Sequence, residues 1–294
     1  MGANLKEVRL RMASVKSTMQ ITKAMKMVSA SKLRRATDKI VQIRPYANQL
    51  NEVLTNIVSN LQGNLNLSLA ENRELKKVLI VVITGDKGLC GGFNANVVKL
   101  AKKLINEKYA DLHQKGGLEL LFVGKKGLDG LKSFSGYKNL TFTNILSDMS
   151  FDNVSKVSEH LMALFQNKEY DRIEVVYNMF KNAAVQFPTA EQYLPIHTTP
   201  AESGAASADY IFEPGKEEIL ETLVPNILKT QFFRFLLDSN ASEHGSRMTA
   251  MDKATENAND LLKDLGVMYN RARQAAITTE LSEIVSGAAA LSAE

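Results

Sequence analysis

From Met251 to Ala289 the chain places apolar or small residues at alternating spacings of three and four: Met251, Ala254, Ala258, Leu261, Leu265, Met268, Ala272, Ala275 and Thr279. The run lasts about five heptads. Polar residues fill the intervals, among them Asp252, Lys253, Glu256, Asp260, Lys263, Asn270 and Arg271. This is the pattern of a helix with one apolar seam and wet flanks. No proline occurs from Lys229 onward, so nothing there removes a helical amide or forces a kink. The pattern predicts one helix from about Glu217 to Ala289. At about 1.5 Å per residue it would be on the order of 100 Å long, several times the ordinary globular length. A seam that long has to be buried against something.

The partner lies at the other end of the chain. Leu33, Ala36, Ile40, Ile43, Ala47, Leu50, Leu54, Ile57 and Leu61 repeat the alternation, and Leu5, Val8, Met12, Val15 and Met19 repeat it upstream. A domain-sized stretch separates the two seams. This predicts an antiparallel coiled coil of terminal helices, residues 1–62 and 209–294, with residues 76–208 folded as a head between them. The alternative is two unrelated core helices of a larger domain, and the long run without breakers argues against it. Pro45 removes one amide donor, yet the seam resumes in register at Ala47, so a bend is expected near 45 rather than a terminus. Gly63 and the Asn and Ser residues around it end the first arm.

The head reads as α/β. Lys76 to Ile83 contains a continuous apolar run of strand length, as suits a central parallel strand covered on both faces. A glycine-rich loop, Thr84 to Asn94, follows it, and then a helical pattern from Ala95 to about Leu112. Leu118 to Val123 and Ile173 to Tyr177 read as further strands, Phe151 to Asn167 as an amphipathic helix, and Val185 to Ile196 as a less central strand. Strands alternating with helices specify crossover connections. Thr198 to Ala208 is a surface loop by composition, and Glu217 and Glu218 suit the first turn of the return helix.

Composition narrows the function classes. Cys90 is the single cysteine, so no internal disulfide forms, and a reducing compartment is expected. The first residues lack the apolar core of a signal peptide, and no run reaches the roughly 20 apolar residues that span a bilayer. The net charge of +4 is unevenly spread. Residues 1–46 hold eleven Lys and Arg against Glu7 and Asp38, which leaves the remainder at −5. A basic helix of this kind suits an acidic protein wall, nucleic acid or an anionic surface. Its apolar positions are already claimed by the partner helix, which weakens the last two.

Catalytic chemistry finds little support. The loop glycines Gly85, Gly88, Gly91 and Gly92 match neither G-x-x-x-x-G-K-[ST] nor G-x-G-x-x-G, so a tight turn and close packing account for them better than a phosphate cradle. An anion site at the start of the following helix is the other reading. His113, His160, His197 and His244 fall in separate elements, with no zinc spacing. Cys90 has no nearby histidine and reads as a small packed thiol. His244, with Glu243 and Arg247, reads as a polar helix-surface group. No cofactor or metal is expected.

Three sets of residues carry a family resemblance. They are Ile21-Thr-Lys-Ala-Met-Lys-Met-Val-Ser-Ala-Ser-Lys-Leu33, Gly88-Leu-Cys-Gly-Gly-Phe-Asn94, and a C-terminal group. That group comprises Ala241-Ser-Glu-His244, Arg247-Met-Thr-Ala-Met251 and the run from Tyr269 to Ala289. Over essentially its whole length the chain resembles the gamma subunit of bacterial F-type ATP synthases, the rotor shaft of a proton-translocating complex.

The resemblance implies an α/β fold class made of a long antiparallel coiled coil and a Rossmann-like head. It implies a non-catalytic, torque-transmitting role inside a hexamer of alpha and beta subunits, with the epsilon subunit and the c-ring as further partners. Nucleic acid is not among them. It implies peripheral attachment, through partner subunits, at the cytoplasmic face of the inner membrane. Arg273 and Gln274 match the family's catch residues toward an acidic loop of beta, Arg271 joins them on the shaft, and Met25 matches a position facing the same loop. Lys87 stands where the family more often has arginine. Gly88, Cys90, Gly91 and Gly92 match the head loop. Tyr210, Phe212 and Glu213 match the foot that meets the c-ring, with Phe212 replacing a more usual tyrosine.

Overall fold

The computed structural model describes residues 5–60, 68–134, 142–196 and 216–292. Its contacts divide the chain into two compact units, Ala30–Arg247 and Met1–Ser29 with Met248–Glu294. Two helices, α1 (Leu5–Asn60) and α6 (Lys216–Ser292), contribute to both. Pro45 and Pro225 lie inside these helices, and neither ends one.

In the unit Ala30–Arg247, strands β1 (Val78–Ile83), β2 (Leu118–Val123), β3 (Arg172–Phe180) and β4 (Gln186–Leu194) form one sheet in the order β2-β1-β3-β4. β2 and β3 run parallel to β1, and β4 is antiparallel to β3. Every residue of β1 is buried, as its unbroken apolar run requires of a central strand. One sheet face packs Leu79, Val81 and Ile83 with α5 (Phe151–Gln166) and with Ile227, Phe232 and Phe235 of α6. The other packs Val78, Ile80 and Val82 against Val97, Ala101 and Ile105 of α2 (Phe93–Lys108). α5 begins at Ser150, whose hydroxyl accepts from Asn153 N at 3.4 Å.

Where one helix was expected from Ala95 to Leu112, there are two, α2 and α3 (Ala110–Gln114). The chain leaves helical geometry at Tyr109, with φ −124°. Its ring is buried, and its hydroxyl donates to the buried Glu174 carboxylate, which Lys108 also reaches. Burying this polar ring next to a carboxylate outweighs one continuous helix. A short helix that the sequence did not announce, α4 (Lys125–Leu131), carries two glycines. It starts at Gly124, where φ is +100° and a side chain would meet the Thr84 carbonyl oxygen at 2.1 Å. The Gly127 amide then donates to Thr84 Oγ1 at 2.7 Å.

α1 and α6 also pair within this unit, through a cluster of Ala36, Ile40, Leu237 and Ala241. Ala36 and Ile40 lie on the expected α1 seam, whereas Leu237 and Ala241 precede the run of α6 that the sequence marked as its seam. Ile43 and Leu33 are half-buried beside it.

In the second unit the same two helices pair through Val8, Thr22 and Ser29 on α1 and Met251, Ala258 and Leu265 on α6, all buried. Thr22 and Thr255 share a hydroxyl hydrogen bond of 2.8 Å, and Lys26 meets Asp252 at 2.5 Å. These pairs fix an antiparallel register. Continued to the start of α1, that register sets Leu5 opposite Ala272, which leaves the end of α6 without α1 residues across from it. Ile277, Leu281, Ile284 and Val285 are exposed accordingly.

From Leu5 to Leu50 the α1 seam lies where the spacing put it, and the side chains expected to continue it, Leu54, Ile57 and Leu61, lie outside the described residues; the α6 seam is shifted at Leu261, Met268 and Ala275. Leu261 and Met268 are 38% and 53% exposed, and the half-buried residues are their neighbours Leu262 and Tyr269. Met251, Ala258 and Leu265 hold their places. Spacings of three then four and of four then three are both helical, and the paired apolar residues at 261–262 and 268–269 satisfy either. Only the partner's shape chooses between them. Leu262→Ala is therefore expected to lower stability by about 1–2 kcal/mol and Leu261→Ala by less than about 0.5 kcal/mol. Thermal melting of the two variants by far-ultraviolet circular dichroism measures the order, and a larger loss for Leu261→Ala contradicts this register.

Candidate functional site

The unit Ala30–Arg247 brings the glycine-rich loop against α6. Asn94, in the first turn of α2, ties the loop together: its Oδ1 accepts from Gly85 N at 2.9 Å, and its Nδ2 donates to Lys87 O at 3.3 Å and to Cys90 Sγ at 3.2 Å. Leu89 and Gly91 take positive φ values of 58° and 56°, which tightens the turn. Arg247 of α6 donates to Gly88 O at 3.3 Å and to Glu243 Oε1 at 2.6 Å. A side chain at Gly85 would come within 2.8 Å of the Glu243 carboxyl group.

These contacts fill the place where an open α/β sheet ordinarily binds a ligand. The sheet order reverses between β1 and β3, and the crevice beyond their C-terminal ends is the usual ligand position. Here Ser242 donates to Asn178 O at 3.1 Å, and Asn178 Nδ2 donates to Phe93 O at 3.1 Å. Glu243 occupies the space over Gly85, and Arg247 bonds the Gly88 carbonyl. Gly85 therefore serves close packing and Gly91 the tight turn, the two uses read from the sequence. Glu243 and Arg247 were expected on the helix surface, but their side chains are only 13% and 11% exposed. Gly245 between them, which approaches the backbone of Ala183, was the available signal that this turn of the helix meets close neighbours.

Burial sets the titration of the groups nearby. Cys90 is buried, which pushes its thiol up and disfavours the thiolate that a nucleophile needs. Burial lowers His244 to about 4, with Arg247 and Lys32 acting the same way, and Arg247 Nη1 donates to the neutral ring at Nδ1. Burial raises Asp238 to about 6 against the pull of Arg44 and Arg234, with Glu191 adding to the rise. Its Oδ1 lies 3.9 Å from Arg44 and makes no hydrogen bond. Among the described residues no His, Cys, Asp or Glu group is gathered in a way that could hold a metal ion.

The other expected site residues lie elsewhere. Arg271, Arg273 and Gln274 stand exposed on α6, and Met25 is half-buried on α1. The pairing register sets Met25 near Asp252, so it and Arg273 sit on the order of 30 Å apart along α6. The structure does not gather these residues into one cluster. In the head loop, Gly88, Gly91 and Gly92 are exposed and Cys90 is buried. Tyr210, Phe212 and Glu213 lie outside the described residues.

Comparison with known proteins agrees with this geometry. A family profile described as ATP synthase matches residues 4–291. The chain is 53% identical over 291 residues to the ATP synthase gamma chain of Cytophaga hutchinsonii, covering 98% of this chain and 99% of that one. It is 50% identical over 290 residues to the ATP synthase gamma chain of Flavobacterium psychrophilum, with 98% and 99% covered. A chain of the central stalk and c-ring structure of Tetrahymena thermophila mitochondrial ATP synthase is similar at 27% identity and a TM-score of 0.58. The match spans 80% of this chain and 99% of that chain.

Two groups on α6 whose titration burial shifts give opposite pH dependences. His244, lowered from 6.5 to about 4, contributes stability that is present above pH 6.5 and lost as pH falls toward 4. Asp238, raised from 3.8 to about 6, contributes stability that is full below 3.8 and lost as pH rises through 6. Each masks the other in the wild type. Melting temperatures measured from pH 4 to 7.5 should show His244→Asn gaining on the wild type as pH falls through this window. Asp238→Asn should gain as pH rises. A difference from wild type that stays constant with pH, for either variant, contradicts the assignment.

Proposed function

Because the chain belongs to the gamma-chain family of the ATP synthases, we propose that it is the central-stalk rotor subunit of a bacterial F-type complex, carrying torque between the c-ring and the catalytic hexamer of alpha and beta subunits. It is a non-catalytic component, and the chemistry of ATP belongs to its partners. The observation that carries this reading is the antiparallel pairing of α1 and α6, followed by an α6 end whose apolar residues Ile277, Leu281, Ile284 and Val285 stand exposed among the described residues. Such an end suits a close-fitting sleeve supplied by other subunits. Gly287, Ala288 and Ala289 keep its tip narrow.

On this reading the division into residues 1–62, 76–208 and 209–294 is that of a first shaft helix, a head and a second shaft helix. Arg271, Arg273 and Gln274 project from α6 toward an acidic loop of a beta subunit, and Met25 meets beta from α1 at a separate level. Gly88, Cys90, Gly91 and Gly92 shape the head loop. The head lies beside epsilon, and Tyr210, Phe212 and Glu213 form the foot on the c-ring. No helix among the described residues is long and apolar enough to cross a membrane. We assign attachment to the c-ring, at the cytoplasmic face of the inner membrane.

The mechanism is mechanical allostery. An asymmetric shaft presents a different face to each beta subunit, and its rotation shifts each catalytic site among conformations by differential contact. Only contacts that differ between those conformations can bias them.

The test is purification of the tagged chain from native membranes, followed by measurement of the Arg273→Ala complex. Co-purification with alpha, beta and epsilon subunits is expected. Losing one charge-assisted contact to a partner carboxylate, about 1.5 kcal/mol, should lower coupled turnover roughly tenfold while nucleotide affinity stays near wild type. Recovery of the chain alone or with nucleic acid, or an equal loss of nucleotide affinity, contradicts the proposal.

A further inference from the structure

Torque applied to a head is useful only if the helix carrying it cannot roll against that head. A helix lying on a smooth apolar face has little to stop it, because hydrophobic burial is non-directional. The segment of α6 from Ser242 to Arg247 is held in another way. Ser242 donates to the β3 carbonyl of Asn178, and Glu243 seats against Gly85 at the end of β1. Gly245 approaches the Ala183 backbone in the β3–β4 turn, Ser246 donates to Gln186 of β4 at 2.8 Å, and Arg247 reaches Gly88 O.

At about 100° per residue these five positions span roughly 200° of the helix circumference. Ala241 and Leu237, which pack with α1, point to the side left open. The helix is thus enclosed by the head's loops on most of its circumference and by α1 on the rest.

We propose that this polar collar is the torque joint of the molecule. The crevice in which an α/β sheet would bind a ligand has been filled by the shaft helix, with the Glu243–Arg247 pair as its key, and Gly85 and the carbonyl of Gly88 as its socket. The proposal rests on the rotor reading above. It assigns to Ser242, Glu243, Ser246 and Arg247 a positioning role: they transmit the angular position of the head to α6. Both side chains of the Glu243–Arg247 pair are largely buried, where an ion pair holds a fixed geometry and losing one partner leaves the other's charge unpaired.

The socket offers a selective probe. In Gly85→Ala the new methyl meets the Glu243 carboxyl group at 2.8 Å, the far end of a flexible side chain rather than backbone. The chain can therefore fold while the key is displaced. Glu243→Ala removes the obstacle, and Glu243→Gln keeps the packing while discharging the key.

The experiment measures ATP-driven proton pumping per ATP hydrolysed in membrane vesicles carrying the complete complex, with subunit content checked by mass. The joint predicts that Gly85→Ala and Glu243→Gln each lose pumping per ATP while hydrolysis and assembly persist. It also predicts that Gly85→Ala causes no further loss when added to Glu243→Ala. Normal pumping in both single variants overturns the joint, as does an equal loss from Gly85→Ala in the wild-type and Glu243→Ala backgrounds. Absence of the wild-type chain from the complex would instead overturn the rotor reading.

Discussion

Antiparallel pairing of α1 with α6 is the constraint on which the rest of the molecule depends. In the unit formed by the chain ends the pairing rests on Met251, Ala258 and Leu265 facing Val8, Thr22 and Ser29. Little of its energy comes from charge: Lys26 and Asp252 are 41% and 53% exposed, and exposed pairs contribute only about 0–1 kcal/mol. Burial along the seam does most of the stabilising. Many seam residues are small, so each buries modest area, and stability is gathered over many turns. Small residues also let the helices approach closely, and Thr22 and Thr255 use that proximity to satisfy each other's hydroxyls.

The head depends on the same helices from the other direction. Phe232 and Phe235 of α6 pack into the aromatic cluster with Tyr177 and Tyr193, and Tyr193 donates to Leu228 O. α6 is therefore part of the head's core as well as the return arm of the coiled coil. A few turns later the contacts become polar at Ser242, Glu243 and Arg247. Apolar burial holds the helix to the sheet, and the directional bonds that follow define its rotation. This division of labour separates affinity from orientation within one continuous helix.

The long elements and the strand order were legible in the sequence because their periodicity is sustained. β2 falls on Leu118–Val123 as expected, and β1, β3 and β4 differ only at their ends. Illegible features were those decided by tertiary partners. The break at Tyr109 is set by Glu174, 65 residues away in the chain. The choice of Leu262 over Leu261 is set by the facing helix. The burial of Glu243 and Arg247 is set by a loop about 160 residues earlier; on their own helix they look like an ordinary exposed ion pair. Met25, Arg271, Arg273 and Gln274 rest on family resemblance alone, since a contact made only with another subunit leaves no mark on its own chain's packing.

The rotor reading requires that the head turn inside a complex that hydrolyses or makes ATP. It is tested most directly by watching the head move. The complex would be fixed to a surface through its hexamer, and a bead attached to a cysteine introduced by Lys103→Cys on the exposed face of α2; Cys90, being buried, would not compete for the label. The account predicts that adding ATP drives the bead in one direction in repeated steps. A bead that stays fixed or merely fluctuates while the same complexes hydrolyse ATP would contradict it.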